Sequence, residues 1–134
     1  MQLPANAHVA IADGERFLLM RNAGSAAEAR LELVEEPNLD GEKESDASGH
    51  HDAARSDDYR TQDKLDHAAA VANWLNRAVL QHCIEQLLVV ADRDTLGEMR
   101  RHYHKETQSV LVDELDKLLT GMPGPEILEA IEAA

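Results

Sequence analysis

The stretch Leu87-Leu88-Val89-Val90-Ala91, followed at once by Asp92-Arg93-Asp94 and Thr95-Leu96-Gly97-Glu98, decides the fold class. An unbroken apolar run rich in branched side chains reads as a central strand buried on both faces. Asp92-Arg93-Asp94 is then the loop at its C-terminal end. Thr95 and Glu98 stand at capping-box spacing, so a helix is predicted to begin with Thr95 as N-cap and Glu98 at its third position. A buried strand followed directly by a helix is the unit of an α/β sheet.

Working outward from this unit, the residues before it predict a helix from Thr61 to about Cys83. Leu65, Ala68, Ala69, Ala72, Leu75 and Val79 recur at helical spacing, and Val71 and Trp74 widen the face. The alanines imply close packing against another layer. Trp74 is expected to be mostly buried, and Cys83 to be a small buried hydrophobe at the helix end. After the central strand, Leu96, Met99, Tyr103, Val110, Leu111, Leu115 and Leu118 continue at helical intervals. They read as one bent helix or two successive ones, stopped by Gly121 and Pro123. A short final helix, Glu126 to Ile131, follows Pro125, which is tolerated in a first turn.

The N-terminal part is different. His8 to Ala12 reads as a strand ended by Asp13-Gly14, and Arg16 to Arg21 as its hairpin partner. Leu31 to Glu36 alternates as a third, half-exposed strand stopped by Pro37. Between Asp40 and Asp58 the chain has almost nothing to bury, so this loop is expected to be flexible. The central strand is expected to lie parallel beside that from His8. The expected fold is therefore a single α/β domain over residues 1–134, with a mixed β-sheet and helices packed on it.

The formal net charge of −13 over 134 residues argues against a generic nucleic-acid binder and against adsorption to anionic lipid. The longest apolar runs are far too short to span a bilayer, so no membrane insertion is expected. Met1-Gln2-Leu3-Pro4 does not read as a signal peptide, and the expected location is cytoplasmic. The single cysteine leaves no disulfide framework and no C-x-x-C pair.

Two acids invite a chemical reading. If their strands are parallel neighbours, Asp13 and Asp92 sit together at the strands' C-terminal ends, where open α/β sheets bind ligands. Paired carboxylates there could hold Mg²⁺ for a hydrolase. The simpler alternative is that Asp13 shapes a turn and Asp92 is a solvated loop residue. The histidines are a metal set by count only: His50-His51 falls in the acidic loop, and His67, His82, His102 and His104 have no ligand spacing. No nucleophile elbow, phosphate-binding loop or dinucleotide fingerprint is present, so no catalytic residue, metal or cofactor is expected. One feature opposes the global charge. Arg93, Arg100, Arg101 and Lys105 cluster near the predicted helix start, with Arg101 and Lys105 at i,i+4. They form either a docking patch or ordinary ion pairs with Glu98 and Glu106.

The strand Val9-Ala10-Ile11-Ala12-Asp13-Gly14, the run Leu87 to Ala91, the helix start Thr95-Leu96-Gly97-Glu98-Met99-Arg100 and the later Glu114 to Thr120 carry a family resemblance. Together they resemble the bacterial proteins required for attachment to host cells, and more distantly the middle domain of archaeal and eukaryotic peptide-chain release factors. That resemblance implies a ribonuclease-H-like fold and an association with translation or with host colonisation. Release factors use a Gly-Gly-Gln tripeptide, which does not occur in this chain. The expected function is a non-enzymatic binding or regulatory domain whose partner is the ribosome, an RNA or another protein. Its candidate binding residues are Asp13, Asp92, Arg93, Arg100, Arg101 and Lys105. The alternatives are a divalent-metal hydrolase using Asp13 and Asp92, and a self-associating domain that forms a homodimer through a sheet edge.

Overall fold

The computed structural model describes residues 1–40 and 56–134, with 56–60 described by backbone alone. The strands are β1 (His8–Ala12), β2 (Phe17–Asn22), β3 (Leu31–Glu35), β4 (Leu87–Ala91) and β5 (Leu111–Asp116). The helices are α1 (Ser56–Leu80), α2 (Arg93–Arg100), α3 (Lys105–Val110) and α4 (Gly124–Ala133). One five-stranded sheet has the order β3-β2-β1-β4-β5. β1, β2 and β3 form an antiparallel meander, while β4 runs parallel to β1 and β5 parallel to β4. This is the expected α/β architecture with a mixed sheet and packed helices.

The two central strands are buried on both faces, as an unbroken apolar run requires. Ala10, Ala12, Leu87, Val89 and Ala91 face one core with Ala68, Ala72 and Leu75 of α1 and Leu96 and Met99 of α2. Val9, Ile11, Leu88 and Val90 face the other, with Leu3 and with Ile127 and Ile131 of α4. Small side chains on the α1 side let that helix approach closely; larger ones fill the α4 side.

The hairpin is present but its turn differs from a two-residue Asp-Gly turn. Gly14 has no positive φ. Instead the Asp13 carboxylate folds the connection by accepting the N–H groups of Glu15 and Arg16, each at 2.7 Å. Gly14 serves for close approach: a Cβ there would stand 2.7 Å from Lys64 Cγ of α1.

Several expectations are corrected. α1 begins at Ser56, before Thr61, so the last residues of the expected flexible loop are helical; the rest of that expectation, at 41–55, lies outside the described residues. α1 ends at Leu80 through a Schellman motif. His82 takes the left-handed conformation (φ 63°), its N–H reaches Val79 O, and Cys83 N–H reaches Ala78 O. Cys83 is therefore an exposed residue of the cap and not a buried one of the helix. Trp74 is half-buried, its ring edge-on to Phe17 with centroids 5.4 Å apart.

The largest correction concerns the region after α2. Leu111 and Leu115 belong to a strand, and Leu118 is 65% exposed in the connection beyond it. A bulge in the pairing with β4 sets Leu111 opposite Leu87 but Asp113 opposite Leu88. Val112 is the extra residue, and it resets the two-residue alternation that would have marked the strand.

These positions separate cleanly by stability. Leu88→Ala, in the fully buried centre, should cost about 2–5 kcal/mol in urea unfolding. Val112→Ala, at an exposed bulge, should stay within about 0.5 kcal/mol of the parent. Similar losses at both positions would contradict the edge placement of β5.

Candidate functional site

The chain leaves β1 toward β2 and leaves β4 toward β5, in opposite directions across the sheet. The diverging connections leave a crevice outside the C-terminal ends of these parallel neighbours, where ligands of open α/β sheets are held. A cleft of ≈ 480 Å³ lies there. It is lined by Asp13, Glu15, Asp92 and Asp94 with Lys64, and by the apolar side chains of Leu65 and Leu118. The sequence expectation that Asp13 and Asp92 share one end of the sheet holds, and the register explains it. Ala12 stands opposite Ala91, so each aspartate is the next residue of its strand.

Both carboxylates are engaged in the fold. Asp13 Oδ1 accepts the two turn N–H groups, and the Thr120 hydroxyl donates to Asp13 Oδ2 at 2.6 Å. Arg16 donates to the Thr120 carbonyl at 3.3 Å, which ties the β5–α4 connection to the hairpin. Burial alone would raise the Asp13 carboxyl. The hydrogen bonds from Thr120, Glu15 and Arg16, with the nearby charge of His67, outweigh it and hold the group below its ordinary value.

Asp92 is the N-cap of α2. Its side chain accepts the Thr95 N–H at 3.3 Å and the Thr95 hydroxyl at 2.7 Å. The expected assignment of Thr95 as cap is thus corrected: Thr95 is the third residue of the helix, buried, and the donor to the cap. Aspartate caps at least as well as threonine, and the β4 strand delivers Asp92 at the point where the helix must start. Glu98 does not complete a capping box. It pairs with His102 Nε2 at 2.8 Å and with Arg101 at 3.7 Å.

The four basic residues do not line the cleft. Arg93 pairs with Asp116 at 3.9 Å, Arg100 with Glu114 at 2.9 Å and Arg101 with Glu98. The i,i+4 relation of Arg101 and Lys105 is broken, since Arg101 caps the end of α2 and Lys105 opens α3. Asn76 of α1 causes the break. Its amide donates to His102 O at 2.8 Å, and its carbonyl accepts from His104 N–H at 2.8 Å and Thr107 Oγ1 at 2.7 Å. Among the described residues, no group of three or more His, Cys, Asp or Glu side chains could hold a metal ion.

A family model described as bacterial archaeo-eukaryotic release factor family 12 matches residues 6–131. The chain belongs to this family. No curated protein matches the chain. The match spans both strands of the cleft, the α2 start and the Thr120 connection. No helix among the described residues is long and apolar enough to cross a membrane.

Sequence reasoning missed Thr120, His67, Lys64 and Leu118 at this end of the sheet, and Asn76 at the α2–α3 break. Only tertiary structure brings Thr120 to Asp13, since the two are 107 positions apart in sequence. The lowered Asp13 carboxyl has a testable consequence. Its folded form favours the charged state, so its contribution is complete above the unfolded value of about 3.9 and fades as pH falls through the lower folded value. Asp13→Asn should therefore be less stable than the parent at pH 7, and the gap should close below about pH 4. Urea unfolding across pH measures it; a gap that persists unchanged to low pH would show that the charge of Asp13 stabilises nothing.

Proposed function

We propose that residues 1–134 form a non-enzymatic binding domain of release-factor-like architecture that acts in the cytoplasm and docks a basic protein surface of the translation machinery. The observation that carries this is the chemistry of the cleft: four carboxylates and one lysine over apolar side chains, at the end of the sheet where ligands bind. Such a site favours a lysine or arginine side chain, whose stem packs on Leu65 and Leu118 while its head meets Glu15 and Asp94. An RNA phosphate would be repelled. Family 12 membership supports a partner in translation. The link to host attachment that the sequence resemblance implies then runs through this partner and not through an adhesive surface of the chain.

A metal hydrolase has less support. Three of the hydrogen bonds that close the hairpin and its neighbour end on Asp13, and Asp92 is engaged as a cap. Coordination of Mg²⁺ through both would compete with these bonds. A second reading places docking on the exposed arginines of α2 and its C-cap, Arg93 and Arg101. Arg93 is 89% and Arg101 76% exposed at the side chain, so their ion pairs yield easily to a phosphate.

Co-sedimentation with purified ribosomes separates these surfaces. The wild-type chain should sediment at low salt and be released as salt rises. Glu15→Lys/Asp94→Lys, which leaves the turn and cap contacts in place, should reduce binding at least about tenfold, while Arg100→Glu/Arg101→Glu should retain it. Loss only in the arginine variant would replace the acidic cleft with an RNA-facing helix surface. Absence of wild-type sedimentation would overturn the proposal.

A further inference from the structure

The sheet ends at β5, and among the described residues no strand pairs with its outer edge. An edge of this kind offers backbone N–H and C=O groups to another strand, and an incoming strand here would displace the Asp113 carboxylate, which holds the Glu114 N–H at 2.8 Å. Three features say what kind of strand fits. First, β5 carries Asp113, Glu114 and Asp116 and no basic residue. Asp113 and Asp116 are exposed, Asp116 pairing at 3.9 Å with the largely exposed Arg93, whereas Glu114 is turned inward onto Arg100 at 2.9 Å. Second, apolar side chains flank these acids: Val112 is 40% and Leu118 65% exposed. Third, the edge runs into the cleft. Asp116 stands opposite Ala91, the residue before Asp92, and Leu118 is itself part of the cleft.

Like charges exclude the other occupants. A second copy of this chain pairing edge to edge would set the same acids against one another. Nucleic acid would meet them with phosphates. The bulge at Val112 disturbs only the start of the strand, and Asp113 to Asp116 keep a continuous register with β4.

We propose that the outer edge of β5 accepts an extended basic segment of the partner as a sixth strand, with the end of that segment placing a lysine or arginine side chain in the acidic cleft. This rests on the proposed function and adds the recognition mode: main-chain pairing for affinity, and alternating basic and apolar side chains for specificity. The charges that keep β5 from aggregating with its own kind are those that select a basic strand.

The experiment uses the full chain and a fluorescent synthetic peptide of alternating valine and lysine, followed by anisotropy. Its fully N-methylated counterpart keeps the charges and side chains but lacks ladder donors, and should bind at least about tenfold more weakly. Asp113→Lys should weaken binding of the parent peptide by a similar factor. A valine–glutamate peptide should not bind. Amide hydrogen exchange should slow along β5 when the parent peptide is present. Equal binding of parent and N-methylated peptides would overturn strand addition while leaving the acidic cleft standing as a binding site. Failure of every basic peptide to bind would overturn both.

Discussion

The rest of the molecule depends on the parallel pairing of β1 with β4. Their register runs without a break from His8 opposite Leu87 to Ala12 opposite Ala91. Val9 to Ala12 and all of β4 are fully buried, so the pair forms the seam between the two cores. Because both strands end at the same level, Asp13 and Asp92 emerge side by side. Each then has a separate structural task, since the chain must turn sharply after β1 and start a helix after β4. A carboxylate solves both problems by accepting backbone N–H groups that would otherwise lack partners.

This seam was the most legible part of the sequence. An unbroken run such as Leu87 to Ala91 has few alternatives once a capping signal follows it, and α1 announced itself through its alanine-rich face. β5 was not legible, for a physical reason. Its bulge shifts the inward residue by one, and Leu111 and Leu115 are four apart, a spacing that also suits a helix. Acidic residues at Asp113, Glu114 and Asp116 further hid an edge strand whose partner lies on one side alone. The break between α2 and α3 was equally hidden, because it depends on Asn76, a polar residue on a distant helix.

The site was half legible. Strand ends and turn residues pointed to Asp13 and Asp92, but their partners are Thr120 and Thr95, one of them far away in sequence and the other first read as the cap itself. Thr95 and Asp92 compete for one role in any sequence of this type. The strand's end position settles it in favour of the aspartate. The basic cluster illustrates the opposite error: residues adjacent in sequence were dispersed by the helix break, and the arginines were drawn onto neighbouring carboxylates. What remains beyond the C-terminal ends of β1 and β4 in this release-factor-related fold is a cleft lined by four carboxylates and Lys64.

The central claim is that Asp13 and Asp92 hold the connections around this cleft and do not form a metal centre. Carbon-13 NMR of their side-chain carboxyl carbons during a Mg²⁺ titration tests it most directly. The account predicts no saturable displacement of either carbon and no loosening of the Thr95 amide at the helix cap. A saturable shift of both carboxyls with one shared midpoint, accompanied by release of that cap, would contradict it.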